Sequence, residues 1–176
     1  MFTLSIYFCN FKYKILRERP EEKLVSKLRK LSLKIALAES CTGGLISKKI
    51  TDVPGASKIF EYGFCTYSNR AKMNILRVDE ELLEKYTAVS KEVALSMALG
   101  AKEVSKADVA LSITGYAGSK EELKQNDKVG IVYIGASFKK NYIVKLDFRK
   151  TKNISRDYIR RESAIHALSI VLELLK

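Results

Sequence analysis

The chain has 176 residues, 47% apolar and 30% charged, which suits a single soluble globular domain and excludes a disordered or fibrous one. Lysine and arginine exceed aspartate and glutamate by 32 to 20, a formal net charge of +12, which attracts phosphate on a nucleic acid or on a small anionic substrate. No apolar run approaches the length of a bilayer span, and Met1 to Cys9 lack the basic start and cleavage site of a secretory signal. Three cysteines without metal-like spacing (Cys9, Cys41, Cys65) point to reduced thiols in a cytoplasmic protein.

Residues 1–20 read as an N-terminal extension and 21–176 as the domain proper. Helical periodicity starts near Glu21, just after Pro20, with Leu24, Leu28 and Leu31 on one face. Leu33 to Leu37 is apolar enough for a buried strand, and Thr42 to Ile50 reads as a helix. After the turn signal Asp52-Val53-Pro54-Gly55, Ile59 to Tyr67 is rich in aromatics and predicts a strand. Ser68 and Asn69 are caps for a short helix through Leu76, and Asp79 caps another carrying Leu82 and Leu83. Ser90 opens a longer helix with Val93, Met97 and Ala101 on its inner face. Strands follow at Val109–Thr114, Val129–Phe138 and Tyr142–Phe148, with Lys139 to Asn141 as a hairpin turn. A helix from about Asn153 to Leu175 ends the pattern. Helices alternate with strands early and a hairpin follows, which predicts a mixed sheet covered on both faces.

The chemistry concentrates at Ala38-Glu39-Ser40-Cys41-Thr42-Gly43-Gly44, where a strand turns into a helix. Two nucleophile types, Ser40 and Cys41, sit at a helix start whose free N–H groups favour an anion or a developing oxyanion. Gly43 and Gly44 let a ligand approach the backbone. The plain alternative is that Thr42 is an N-cap and the glycines make a tight turn. A cysteine at a helix N-terminus has a lowered pKa and attacks well, whereas a buried one simply packs; spacing does not separate the two.

Three loops follow strands: Ser40 to Gly44, Tyr67 to Lys72, and Thr114 to Gly118. Parallel strands would gather them into one crevice at their carboxyl ends. That crevice would hold Ser40, Thr42, Tyr67, Asn69, Lys72 and Thr114. With a single His166, a zinc site or a Ser-His-Asp triad has little to work with, so a nucleophile here needs another base. The set resembles the parts of an amide hydrolase that uses serine with a lysine base. Such a lysine must lose its ordinary pKa of about 10.4, through desolvation and neighbouring positive charge such as Arg70. Otherwise Lys72 is one more solvated lysine. Gly115-Tyr116-Ala117-Gly118 matches the Gly-x-x-Gly of KH RNA-binding domains, but follows a strand rather than joining two helices.

These motifs, in order, resemble the CinA C-terminal domain family. The resemblance runs from about Val25 onward. Its residues are Ala38 to Gly44, Thr51 to Ser57, Tyr67-Ser68-Asn69 with Ala71-Lys72, and Ala88-Val89-Ser90. Thr114-Gly115 with Ala117-Gly118, Val129-Gly130, and Arg156 with Ile159-Arg160 complete it. The resemblance implies a three-layer α/β/α domain with a mixed, mostly parallel central sheet. It implies hydrolysis of the carboxamide of nicotinamide mononucleotide to nicotinate mononucleotide and ammonia, with no cofactor and no metal. It makes Ser40 the nucleophile and Lys72 its base, with Thr42, Gly43, Gly44, Tyr67, Asn69, Thr114 and Gly115 lining the pocket. Arg156 becomes a candidate for the substrate phosphate. The implied partners are a small nucleotide substrate and further copies of the chain, as a homodimer or higher oligomer, with no nucleic acid or membrane. The chain departs from the family at Ser119 to Lys128, a charged segment where relatives carry a Pro- and Gly-rich loop, and at Ser155, where the family usually has Gly. A catalytically degenerate domain that binds a nucleotide or a protein is the alternative reading.

Overall fold

The computed structural model describes residues 4–5, 19–118, 128–151 and 154–176. Most of the expected N-terminal extension, residues 119–127 of the charged loop and the Asn153 start of the last helix lie outside them. In chain order the elements are β1 (Leu4–Ser5), α1 (Pro20–Leu31), β2 (Ile35–Glu39), α2 (Leu45–Thr51) and a 3₁₀ turn (Ala56–Lys58). They continue with β3 (Phe60–Cys65), α3 (Asn69–Leu76), α4 (Glu80–Tyr86), α5 (Lys91–Ser105) and β4 (Val109–Gly115). β5 (Ile131–Phe138), β6 (Lys140–Asp147) and α6 (Arg156–Leu174) follow.

The strands form one sheet in the order β1-β6-β5-β4-β2-β3. β2 pairs in parallel with both β3 and β4, while β5 is antiparallel to β4 and to β6. Every strand but β5 therefore runs the same way, so the sheet is mixed and mostly parallel as expected. The carboxyl ends of β2, β3 and β4 share one edge, which is what brings their three loops together.

Alternation along the central strands divides the apolar residues between two cores. Leu37 and Leu111 face a core shared with Leu24 and Leu28 of α1, Ile46 and Ile50 of α2, and Leu168 of α6. Ala38 and Ala110 face the other, with Leu76 of α3 and Val93, Met97 and Ala101 of α5. Helices thus cover both faces, the three-layer arrangement. Each large side chain so buried contributes about 1.5–3 kcal/mol before entropy is counted.

Side chains cap the helices where the sequence places capping residues. Ser68, Asp79 and Ser90 each accept from an N–H of the following turn, of Ala71, Glu81 and Val93, and Ser155, not foreseen as a cap, accepts from Tyr158. Asn69 is not a cap; it is the first residue of α3.

Other expectations are corrected. β2 begins at Ile35 and runs to Glu39, because the ladders to β3 and β4 both start at Ile35. Leu31 is exposed although it shares a spacing with Leu24 and Leu28. β5 starts at Ile131, after Gly130 turns the chain with φ 98°. The hairpin turn is tighter than expected, since Phe138 pairs with Lys140 and Lys139 alone takes a left-handed conformation.

Candidate active site

Ser40 leaves the end of β2 with its N–H bonded to the Ile113 carbonyl of β4, and it is buried. Lys72 stands in the first turn of α3 rather than in a loop, and is only 1% exposed. Its Nζ lies 3.0 Å from Ser40 Oγ, 2.8 Å from the Thr66 carbonyl and 3.4 Å from the Tyr67 carbonyl. Burial pulls its pKa below the ordinary lysine value, while the Cys41 and Cys65 thiols act in the opposite direction. The expected neighbouring cation is not a cause, and Arg70 is exposed on α3.

A neutral amine has two hydrogens and one lone pair. Nζ donates to Ser40 Oγ and to the Thr66 and Tyr67 carbonyls; once the lysine sheds a proton, its two hydrogens can stay on the carbonyls and its lone pair faces the Ser40 hydroxyl. Ser40 and Lys72 are therefore arranged for proton transfer from oxygen to nitrogen.

Cys41 is a different case. Burial is the chief cause that pushes its thiol up to about 12; the nearby Glu39 carboxylate adds to the rise. The thiol stays protonated at neutral pH, so the lowered pKa expected of a helix-start cysteine is not found.

The turn itself differs from both sequence readings. Thr42 does not cap α2; Gly44 occupies that position in a left-handed conformation, with Gly43 left-handed before it. Nor are the N–H groups at the start of α2 open to an anion, because Glu39 has taken them. Its Oε2 accepts from Gly44 N (3.0 Å) and Ile46 N (3.1 Å), and its Oε1 from Ser47 N (2.8 Å) and Ser47 Oγ (2.7 Å). The Gly43 N–H goes to the Ser40 carbonyl. Among the described residues, the Cys41 and Thr42 N–H groups have no carbonyl or carboxylate acceptor.

The remaining predicted residues surround this pair. Tyr67 is 60% exposed, and its hydroxyl accepts from Arg156 Nη2 at 3.0 Å. Arg156, in the first turn of α6, also donates to the Gly118 carbonyl at 3.1 Å, so it joins the β3 and β4 loops. One helical turn on, Arg160 donates to the Thr42 carbonyl at 2.7 Å. Thr114 is buried and its hydroxyl donates to the Ala88 carbonyl, which ties β4 to the segment before α5. Gly115 ends β4 where a Cβ would lie 2.6 Å from Val132 Cγ2. Asn69 is exposed in the first turn of α3, and its side chain makes no hydrogen bond among the described residues. Buried Thr42 Oγ1, Thr66 Oγ1 and Arg160 Nε also lack partners there.

Three participants escaped the sequence reading: Glu39, Arg160 and the Thr66 carbonyl. Glu39 sits one residue before Ser40, and Arg160 is four residues after Arg156, hence on the same helix face. The carbonyl has no sequence signal at all. His166 is a helix residue whose Nδ1 lies 2.7 Å from the Glu162 carbonyl. Among the described residues, no group of three or more His, Cys, Asp or Glu could hold a metal ion, and no helix is long and apolar enough to cross a membrane.

Fold and site together define a three-layer α/β domain with a buried serine–lysine pair at the carboxyl edge of its parallel strands. The chain belongs to the CinA C-terminal domain family, whose model matches residues 17–175. A relative in Caldicellulosiruptor saccharolyticus, named "Putative competence-damage inducible protein", is 48% identical over 161 residues, covering 91% of this chain and 38% of the relative. The chain thus spans well under half the length of the curated relatives it matches. Among solved structures, a CinA superfamily protein from Escherichia coli superposes with a TM-score of 0.83 at 32% identity, covering 94% of each chain. The competence/damage inducible protein CihA from Agrobacterium tumefaciens gives 0.82 at 32% identity, covering 96% of this chain and 100% of that one.

Proposed function

We propose that this domain hydrolyses the carboxamide of nicotinamide mononucleotide, giving nicotinate mononucleotide and ammonia. The observation that carries the reading is the buried Lys72 Nζ at 3.0 Å from Ser40 Oγ. Lys72 takes the Ser40 proton as the oxygen attacks the carboxamide carbon. The Cys41 and Thr42 N–H groups are the donors left for the developing oxyanion, in place of the wider helix start expected from sequence. The tetrahedral intermediate collapses, the Lys72 ammonium returns its proton to the departing nitrogen, and ammonia leaves a Ser40 ester. Water, deprotonated by Lys72, then hydrolyses that ester and releases the carboxylate.

The substrate carries an anionic phosphate and a cationic ring. Arg156 binds the phosphate by exchanging its Tyr67 hydroxyl and Gly118 carbonyl acceptors for phosphate oxygens. The exposed Tyr67 ring gives the pyridinium a face to lie on. The site works in a cytoplasmic protein, as a homo-oligomer, without cofactor or metal.

The test is ammonia release from nicotinamide mononucleotide by the parent, Ser40→Ala and Lys72→Ala, each checked for folding. Release by the parent that both substitutions abolish supports the reading. A folded parent that releases none sinks it.

A further inference from the structure

We infer that Glu39 and Arg160 are positioning residues that hold the Ser40–Gly44 turn in its reactive shape. The inference rests on Ser40 being the nucleophile.

Glu39 is 1% exposed, and no cationic side chain among the described residues reaches it as an ion pair. Its charge is met by four donors, Gly44 N, Ile46 N, Ser47 N and Ser47 Oγ, two on each oxygen. None of its bonds goes to Ser40 or Lys72, so it moves no proton in the reaction. Its main chain is fixed as well, in register with Cys65 of β3 on one side and Ile113 of β4 on the other. Glu39 is thus anchored to the sheet by its backbone and to α2 by its carboxylate. The turn that starts at Ser40 is spanned by this bracket.

Arg160 grips the same turn from α6. Its Nη2 donates to the Thr42 carbonyl at 2.7 Å, and the place of a Gly43 Cβ lies 3.6 Å from that nitrogen. The acid holds N–H groups and the guanidinium holds a carbonyl, so the two act on opposite ends of the turn's peptide dipoles. Left-handed Gly43 and Gly44 allow the chain to fold tightly enough to be held twice. Releasing either grip frees Ser40 Oγ to drift from Lys72, and misplacement by about 1 Å is enough to cost some 10²-fold in rate.

A helix cap alone would affect stability and leave reactivity untouched, which sets the experiment. In the full chain, Glu39→Gln puts an amide donor against N–H donors, and Arg160→Met keeps bulk without the guanidinium. Asp79→Ala removes the cap of α4, which makes no bond to the Ser40 turn, as the stability control. Labelling of Ser40 by a fluorophosphonate probe is timed by mass spectrometry, beside kcat and KM for ammonia release. Measurements are made where circular dichroism reports each variant folded. The expected result is a fall of about 10²-fold in labelling rate and kcat for Glu39→Gln and Arg160→Met, with KM little changed and Asp79→Ala near the parent. If Glu39→Gln does not fold, Arg160→Met decides alone. Labelling at the parental rate in a folded variant overturns the inference. A parent labelled at Ser40 that releases no ammonia defeats the substrate reading, while the labelling ratios still support the positioning. A parent in which Ser40 is never labelled overturns both.

Discussion

Lys72 Nζ meets Ser40 Oγ at 3.0 Å across 32 positions of sequence. The two residues come from different strand–helix units, and the parallel pairing of β2 with β3 brings the units together. Burial lowers the Lys72 pKa, so the neutral amine, the form able to accept a serine proton, forms at lower pH than in a free lysine. The pH profile of kcat for ammonia release therefore has a rising limb with its midpoint below about 10.4. Lys72→Arg, which cannot deprotonate, has no such limb. A limb at the ordinary lysine value would contradict the role of burial.

The same burial has a cost in stability, and its sign is fixed. A lowered folded pKa means that, between it and the unfolded value near 10.4, the unfolded chain holds a proton that the folded one has shed. Stability rises with pH across that window and levels above it. Measured as the difference in Tm between parent and Lys72→Met, the parent gains on the variant as pH climbs toward about 10.4. A difference that stays flat with pH would show that Lys72 titrates alike in both states.

Cys41 is expected to be dispensable for chemistry. With its thiol at about 12, it remains protonated through the neutral range, and Cys41→Ala keeps most of the ammonia-releasing activity. Thiol titration by an alkylating reagent should find exposed Cys65 before buried Cys41, which reacts only on unfolding. Loss of activity in Cys41→Ala with Ser40→Ala still active would reverse the assignment of nucleophile.

Gly100 controls where α3 can lie. A Cβ on Gly100 would fall 1.9 Å from the Leu76 carbonyl, so Gly100→Ala pushes α5 away from the helix that carries Lys72. The expected outcome is a loss of about 1–3 kcal/mol in urea unfolding, together with a reduced kcat. Unchanged stability and rate would mean that α3 shifts without consequence.

The fold was legible because periodicity and capping agreed along most of the chain. Serines at 68 and 90 and Asp79 announced α3, α5 and α4, and the aromatic run before Tyr67 announced β3. The serine–lysine pair was legible through the family resemblance; by residue type alone Lys72 read as one more solvated lysine. Electrostatics within the turn were not legible. Helix-start logic gives free N–H groups and an acidified thiol; the structure supplies a buried carboxylate that uses those N–H groups, and burial, with a smaller push from that carboxylate, raises the thiol. Nothing in the spacing of Glu39 distinguishes a strand residue pointing to solvent from one folded back onto the next helix. Backbone partners such as the Thr66 carbonyl depend on the path of the chain and leave no mark in side-chain types.

The two arginines of α6 also order events in time. Arg156 reaches the loops after β3 and β4, and Arg160 reaches the turn after β2, so all three strand-end loops depend on one helix. A nascent chain that has emerged through β4 already contains the serine and the lysine, yet its loops lack these clasps until residue 160 has been made and docked. The growing polypeptide carries Ser40 with the Glu39 grip alone for more than a hundred residues of synthesis, and gains the Arg156 and Arg160 clasps only with α6 in place.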